Sequence, residues 1–410
     1  MKIAIVTPFY PNAAEPNAGG IGNHFQHLAL GFKEEGHKVT VFQFPYVGKT
    51  SNSFNHHGIQ VRQYGVTQPK WFKMRGLGRL ARLTGYVKRF QSKHLLRRTH
   101  DVLAKKIPQS GFDVIEATSN RGLPFSYSRL PNRQIPMITR VSTTMALHFE
   151  ENEEMPDYNQ RKECEFERGT ISRSDALVTH TKAHASKLEA ELGVDAKRFH
   201  IIPHGIDIPP PPTFIQKDSS GEVKVLFVGR FESRKGADVL LKAIPKILEG
   251  HPSTRFLLAG SDTNNTYQME FQAKEDPIIL KQVEFLGTVT DDERTRLYKE
   301  CDVFVAPSRY ESFGIVYAEA MSFGKAVVAC NTGGAPEVIG RESGLLAEPG
   351  DPESLTQCVL ELCRNAQQRN HMGQDGYKRV KALFSREKMA KDTLALYHRV
   401  LSGNYTGPKY

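Results

Sequence analysis

Short runs of β-branched and other apolar residues alternate along this chain with longer stretches whose apolar residues recur every three or four positions. The runs predict strands and the stretches predict helices. In the first half the runs are Lys2–Pro8, Lys38–Phe42, Asp113–Ala117, Met137–Val141, Ala176–His180 and His200–Ile202. In the second half they are Val223–Val228, Arg255–Ala259, Val283–Leu286, Val303–Ala306, Ala326–Cys330 and Gly344–Ala347. A helix from Asn23 to Glu35, stopped by Gly36, joins the first two runs. Asp351-Pro352-Glu353 offers a capping side chain, a proline for the first turn and an acid for the helix dipole.

The alternation is broken once, at Pro209-Pro210-Pro211-Pro212 and the polar Gln216–Gly221. A proline run followed by Lys-Asp-Ser-Ser-Gly continues neither a strand nor a helix, so residues 208–221 read as a linker. It separates an N-terminal unit, 1–207, from a C-terminal one, 222–383. The expected fold is α/β, with two Rossmann-like, doubly wound parallel-sheet domains facing a cleft. Ligands of such sheets bind beyond the strand C-termini.

Composition narrows the classes. The 410 residues are 39% hydrophobic and 24% charged, which suits a globular protein with more than one core. No apolar run approaches the ~18 residues of a membrane span. The opening Lys2–Val6 run meets Thr7-Pro8 too soon for a signal peptide, so a cytoplasmic location is expected. The five cysteines are scattered and odd in number, and they read as reduced structural thiols. The net charge of +10 favours anionic partners. The stretch 70–106 holds twelve Lys or Arg and one acid, Asp101. Within it Leu77, Leu80, Leu83, Val87 and Phe90 recur at helical spacing, with the arginines largely elsewhere. Three readings stand: contact with an anionic membrane surface, binding of an anionic acceptor, or a solvated helix face. Nucleic acid is not expected, since no zinc finger, helix-turn-helix or aromatic-studded basic sheet is present.

Three segments of the second half carry chemistry. The first, Val228 to Gly236, turns from a strand into a helix and includes Gly229, Arg230 and Lys235. Unpaired N–H groups at the helix start, with two cations, suit a diphosphate whose negative charge grows as it leaves. A solvated basic turn is the plainer alternative. The second, Ser308 to Glu319, follows a strand and opens a helix near Gly314. Glu311 and Glu319 then lie on the order of 10 Å apart, about the reach across a pyrophosphate. One carboxylate would hold ribose hydroxyls and the other a sugar, with the amides of Gly314, Ile315 and Val316 toward phosphate. The third, Asn331 to Val338, has paired glycines that allow close backbone approach. Near the start, Gly19-Gly20-Ile21-Gly22 is a weak phosphate signal, followed by His24 and His27, which read more readily as solvated than as ligand contacts.

Gly-Arg-Phe-Glu-Ser-Arg-Lys-Gly, Ser-Arg-Tyr-Glu-Ser-Phe-Gly-Ile-Val-Tyr-Ala-Glu-Ala, Gly-Gly-Ala-Pro-Glu-Val-Ile and Gly-Leu-Leu-Ala-Glu-Pro-Gly-Asp together resemble family 4 of the retaining glycosyltransferases. The likeness extends to the early glycines and to Ile202-Pro203-His204-Gly205-Ile206-Asp207. It implies the two-domain GT-B fold and transfer of a sugar from a nucleotide-diphosphate donor to a hydroxyl acceptor, with retention. The acceptor would be a carbohydrate or a lipid-linked or phosphorylated molecule. By position, Arg230 and Lys235 would bind the diphosphate, Glu311 the sugar and Glu319 the ribose. Gly20 would face the phosphates from the other domain. The resemblance also implies that the last segment, 384–410, returns to the N-terminal domain.

One departure stands out. Ser142, in Thr139–Thr144, occupies the position where many family members carry a histidine that contacts the donor sugar; His148 is the nearest alternative. No Asp-x-Asp pair is present, so neither a metal nor any other cofactor is expected, and cations and amides would neutralise the leaving group. A sugar-nucleotide epimerase on the same fold and a non-catalytic nucleotide-sugar-binding protein are the rival readings.

Overall fold

The computed structural model describes residues 1–12, 19–46, 51–65, 95–212 and 221–403. In the first half the strands are β1 (Lys2–Thr7), β2 (Lys38–Gln43), β3 (Asn52–His56), β4 (Ile59–Gln63), β5 (Val114–Thr118), β6 (Met137–Arg140), β7 (Ala176–Thr179) and β8 (Phe199–Ile201). Among the described residues they form one sheet in the order β3-β4-β2-β1-β5-β6-β7-β8. All neighbours are parallel except β3, which pairs antiparallel with β4. The second half holds β9 (Val223–Val228), β10 (Thr254–Ala259), β11 (Val283–Gly287), β12 (Val303–Ala306), β13 (Ala326–Cys330) and β14 (Gly344–Ala347). They make a parallel sheet ordered β11-β10-β9-β12-β13-β14. This is the GT-B arrangement of two parallel-sheet α/β domains.

Apolar periodicity explains most of these elements. β1, β5, β12 and β13 are buried almost throughout, as strands covered by helices on both faces must be. The β3–β4 hairpin was not legible in the pattern. β3 is a mostly polar edge strand, and its turn relies on two left-handed residues, His57 (φ 52°) and Gly58 (φ 80°). The Gly-Gly-Ile-Gly segment also differs from the expected loop, because the helix begins at Gly19 and runs to Glu34. The early glycines are therefore its first turn. The helix expected over 77–90 and residues 213–220 of the linker lie outside the described residues. From 95 onward, Leu95, Val102 and Leu103 are buried beside Phe42 and Phe44. Among the described residues no helix is long and apolar enough to cross a membrane.

The chain crosses between the domains twice, side by side. Ile206 N–H donates to Phe384 O (2.9 Å), and Arg386 N–H donates back to Ile206 O (3.0 Å). The helix Arg386–Leu401 then packs on the helix Gly19–Glu34. A Cβ at Gly31 would lie 2.7 Å from Ala390 Cβ, so glycine permits the close crossing. Beneath it, Glu116 is fully buried. It accepts from Arg140 Nε (2.7 Å) and Tyr397 Oη (2.5 Å), while Arg140 Nη2 reaches Thr393 Oγ1 (3.0 Å). At the surface of the same junction, Arg386 pairs with Glu34 and Asp207, each at 2.6 Å.

Two predictions follow from these ion pairs and from Glu167, buried in the helix Tyr158–Ser172. Glu116→Ala leaves the Arg140 guanidinium buried without its carboxylate, and it should cost about 3–5 kcal/mol in urea unfolding. Arg386→Ala, which loses exposed partners, should cost no more than about 1 kcal/mol. Burial pushes the Glu167 pKa up to about 8, against hydrogen bonds from Met145 N–H (2.8 Å) and the Ser119 hydroxyl (2.9 Å). An unfolded Glu titrates near ~4.3, so this group's contribution is complete below that pH and is lost as pH rises through about 8. Unfolding curves across this window should flatten in Glu167→Gln relative to the parent. An unchanged pH slope would refute the assignment.

Candidate functional site

Strand β9 ends at Val228, and the chain passes through a 3-10 turn, Ser233–Lys235, into the helix Ala237–Gly250. Gly236 (φ 68°) joins the two. A Cβ there would lie 1.9 Å from Pro307 O, so glycine alone lets this turn sit against the segment after β12. Arg309 of that segment clamps it, with Nη1 and Nη2 each 2.7 Å from the Asp238 carboxylate. The Arg309 N–H adds a bond to Arg234 O (2.8 Å).

This clamp sets three cations at the cleft. Lys235 Nζ bonds Glu311 Oε1, and Arg234 Nη1 stands 3.7 Å from Glu311 Oε2. The Ser308 hydroxyl also donates to Glu311 (3.1 Å). Burial opposes ionisation of Glu311, but Lys235 and Arg234 outweigh it and hold the carboxyl below its usual range. Arg230 is 56% exposed and pairs with Glu232 at 3.1 Å. Arg234 is the buried one, bonded to Glu232 (3.0 Å) and to Tyr310 O (3.2 Å), with its Nε unpaired. Sequence reasoning named Arg230 and Lys235 and passed over Arg234. The missed signal was its place next to Lys235 in a turn too short to point every cation outward.

Gly314 (φ 84°) caps the helix Ile315–Ser322; Tyr317 N–H donates to Gly314 O (3.0 Å), and the N–H groups of Ile315 and Val316 come before the first helical acceptor. Glu319 accepts from Tyr298 Oη (2.9 Å) and lies 3.9 Å from Arg294 Nη2. Glu311 and Glu319 thus sit at opposite ends of one helix start. Across the cleft stand Gly19 and Gly20, where a Cβ would meet nothing within 4 Å among the described residues.

Two hollows occupy the cleft. One, of about 580 Å³, is lined by Gly20, Arg230, Arg234, Lys235, Glu311 and the turn Gly314 to Val316. The other, of about 160 Å³, is lined by Gly19, Gly20, Ile315, Val316, Arg294 and Glu319. Gly20, Ile315 and Val316 border both, which sets the two hollows end to end. Gly229 stands outside them, with its N–H donated to Ala259 O (2.9 Å). The paired glycines serve a different contact from the phosphate approach. A Cβ at Gly333 would lie 2.4 Å from Glu311 O, and Gly334 N–H donates to the same oxygen (2.7 Å). They hold the backbone that carries Glu311.

The N-terminal wall adds Ser142 and His148, both lining the larger hollow. Burial, and next the nearby Arg234, keep the His148 pKa below the usual imidazole value. His24 is buried, contrary to the solvated reading of it, and it bonds His204 Nδ1 to Nδ1 at 2.6 Å. The His204 ring stacks on His180 at 3.5 Å between centroids. All three imidazoles line the hollow, and burial, joined by Arg140, holds each well below the usual imidazole pKa, which favours the neutral form. Nothing in local sequence joins positions 24, 180 and 204; the ends of β7 and β8 bring them together. Among the described residues, no group of three or more His, Cys, Asp or Glu is placed to hold a metal ion.

Comparison with known proteins agrees with this architecture. The Glycosyltransferase Family 4 model matches residues 18–208, and the Glycosyl transferases group 1 model matches residues 213–379. An uncharacterized glycosyltransferase of Methanocaldococcus jannaschii is 36% identical over 43% of this chain and 45% of its own. A glycogen synthase of Mycobacterium tuberculosis is 27% identical over 55% of each chain. The matches thus span about half the length of these relatives. Among solved structures, Anabaena HepE in complex with UDP and glucose superimposes with a TM-score of 0.68 at 18% identity, over 97% of this chain and 100% of that one. The two halves match the Glycosyltransferase Family 4 and Glycosyl transferases group 1 domain models in turn, and the chain has the GT-B fold.

Proposed function

We propose that this protein is a retaining glycosyltransferase that moves a sugar from a nucleotide-diphosphate donor to a hydroxyl acceptor without a metal. The observation that carries the reading is the convergence on one hollow of Lys235, Arg234 and two helix starts, Gly19–Glu34 and Ile315–Ser322. The diphosphate would lie between the helix starts, its ribose at Glu319 and its sugar at Glu311. The nucleotide of the Anabaena complex supports a nucleotide-sugar donor. As the bond from the anomeric carbon to the phosphate oxygen breaks, the cations stabilise the charge gathering on the leaving group. The acceptor oxygen bonds that carbon from the same face, and its proton passes to the leaving phosphate oxygen. Such a step needs no separate base and preserves configuration.

A second reading, epimerisation of a sugar nucleotide, is favoured by one observation, the imidazoles of His24, His180 and His204 on the hollow's wall. It ranks second because two of these rings are stacked on each other and the third is bonded to one of them.

Lys235→Ala should lower kcat by about 10²–10³ with a smaller change in donor affinity, because the cation acts most on developing charge. Glu319→Ala should weaken binding of the free nucleoside diphosphate by roughly tenfold or more. Steady-state kinetics and calorimetric titration separate the two, and wild-type values in both variants would remove the site assignment. NMR of the product should show the donor's anomeric configuration transferred to an acceptor. An inverted product would end the retaining mechanism, and an isomerised nucleotide sugar with no acceptor product would favour the epimerase.

A further inference from the structure

The donor reading leaves part of the larger hollow unused. Lys235, Arg234 and Arg230 come from the C-terminal domain, but Arg121 and Arg140 line the same space from the opposite wall. Thr118 and Arg140 are paired residues at the ends of β5 and β6, and Arg121 follows three residues after Thr118. Arg140 is 3% exposed, and although Nε and Nη2 are bonded, its Nη1 is buried without a partner among the described residues. An unpaired guanidinium donor is costly to keep inside a fold, and it marks a place where an acceptor atom is missing.

Arg121 is held out by its backbone. It adopts φ 53° and ψ 21°, a left-handed conformation that is strained for a residue with a side chain. Gly122 follows at φ 63°, and a Cβ there would lie 2.4 Å from Phe166 Cβ, so the turn cannot relax toward that helix. Tyr46 Oη pins the turn from the other side, donating to Asn120 Oδ1 (2.7 Å). The Arg121 guanidinium lies 4.5 Å over the Tyr46 ring, and its Nε is 3.7 Å from Glu163. Phe9, 39% exposed, meets the edge of the same ring at 5.6 Å and lines the hollow. A fixed cation beside an open aromatic face suits a ring that has an apolar C–H side and an anionic substituent.

We propose that Phe9, Asn120, Arg121 and Arg140 form the acceptor subsite, and that it takes a sugar bearing a phosphate monoester or a carboxylate. The inference rests on the glycosyltransferase reading and narrows its acceptor. Phe9 would support the ring, Asn120 would bond a hydroxyl, and Arg121 would fork onto the anion. Arg140 Nη1 would take an oxygen at the floor of the hollow.

The test uses the full chain saturated with a nucleoside diphosphate (UDP, ADP and GDP tried in turn) so that the donor's phosphate positions are filled. Glucose 6-phosphate, glucuronate and methyl glucoside are then titrated by calorimetry, and vesicles containing phosphatidylinositol 4-phosphate are co-sedimented as the lipid-borne source of a ring phosphate monoester. At least one anionic probe should bind about tenfold more tightly than methyl glucoside. Arg121→Asn keeps a residue tolerant of the left-handed backbone and should remove that preference, while Arg121→Lys should restore part of it. Nucleoside diphosphate binding should stay unchanged in both variants, which reports an intact fold. Equal binding of methyl glucoside, or an anion preference that survives in Arg121→Asn, would overturn the subsite. Failure of all three nucleotides to bind, with the anion preference intact, would instead sink the glycosyltransferase reading and leave an anionic-sugar site.

Discussion

The carboxylate of Glu311, held between Lys235 and Arg234 at the floor of the cleft, is the interaction on which the rest of the site depends. A buried ion cluster of this kind contributes little to stability by itself, because desolvation offsets much of the attraction. What it does is fix geometry. Gly236 against Pro307 O, the Arg309 fork on Asp238, and Gly333 and Gly334 under Glu311 O all set the backbone of one partner or the other. The cluster also remains cation-rich, with an unpaired Nε on Arg234. A site poised in this way favours a polyanion before any ligand arrives, and its dipoles need no rearrangement when charge moves.

The same loop joins the two domains. Thr181 Oγ1 donates to Ser312 O (2.8 Å), and the His184 ring meets Tyr310 Oη at 2.5 Å, one residue to either side of Glu311. Glu337 crosses as well. Its carboxylate accepts from the N–H groups of Lys182 (3.0 Å) and Ala183 (2.6 Å), the free donors at the start of the helix Lys182–Leu192. An acid from one domain therefore caps a helix of the other. At the far side, Ile206 is bridged by backbone hydrogen bonds to the 384–386 crossing.

How much of this was legible in the sequence varies by scale. Strands β9, β12, β13 and β14 were read to the residue because each is a short, mainly apolar run with polar residues, glycine or proline at its ends. Val228–Gly236 and Ser308–Glu319 were legible as site segments because each packs its chemistry into one strand-to-helix turn. The β3–β4 hairpin was missed because an edge strand such as Asn52–His56 buries almost nothing and so carries no apolar period. Arg234 was overlooked because its burial comes from Glu232 and Tyr310 O, and its contact with Tyr310 bridges 76 residues. The histidine cluster was illegible for the same reason at longer range, since His24 and His204 are 180 residues apart.

That last distance bears on the missing family histidine. Ser142 lines the hollow, and the imidazoles on the same wall come from the residues after β7 and β8 and from the first helix. Burial favours their neutral form, in which they offer the hollow polar edges and flat faces. Among the described residues, Arg121 and Arg140 carry the charge that lines the hollow from that wall. Arg140 is fixed by Glu116, and Glu116 by Tyr397 of the returning C-terminal helix. The last helix is thus more than a strap across two domains. By holding Glu116 it sets the orientation of a guanidinium at the cleft, which ties the N-terminal wall's electrostatics to residues near the opposite end of the chain.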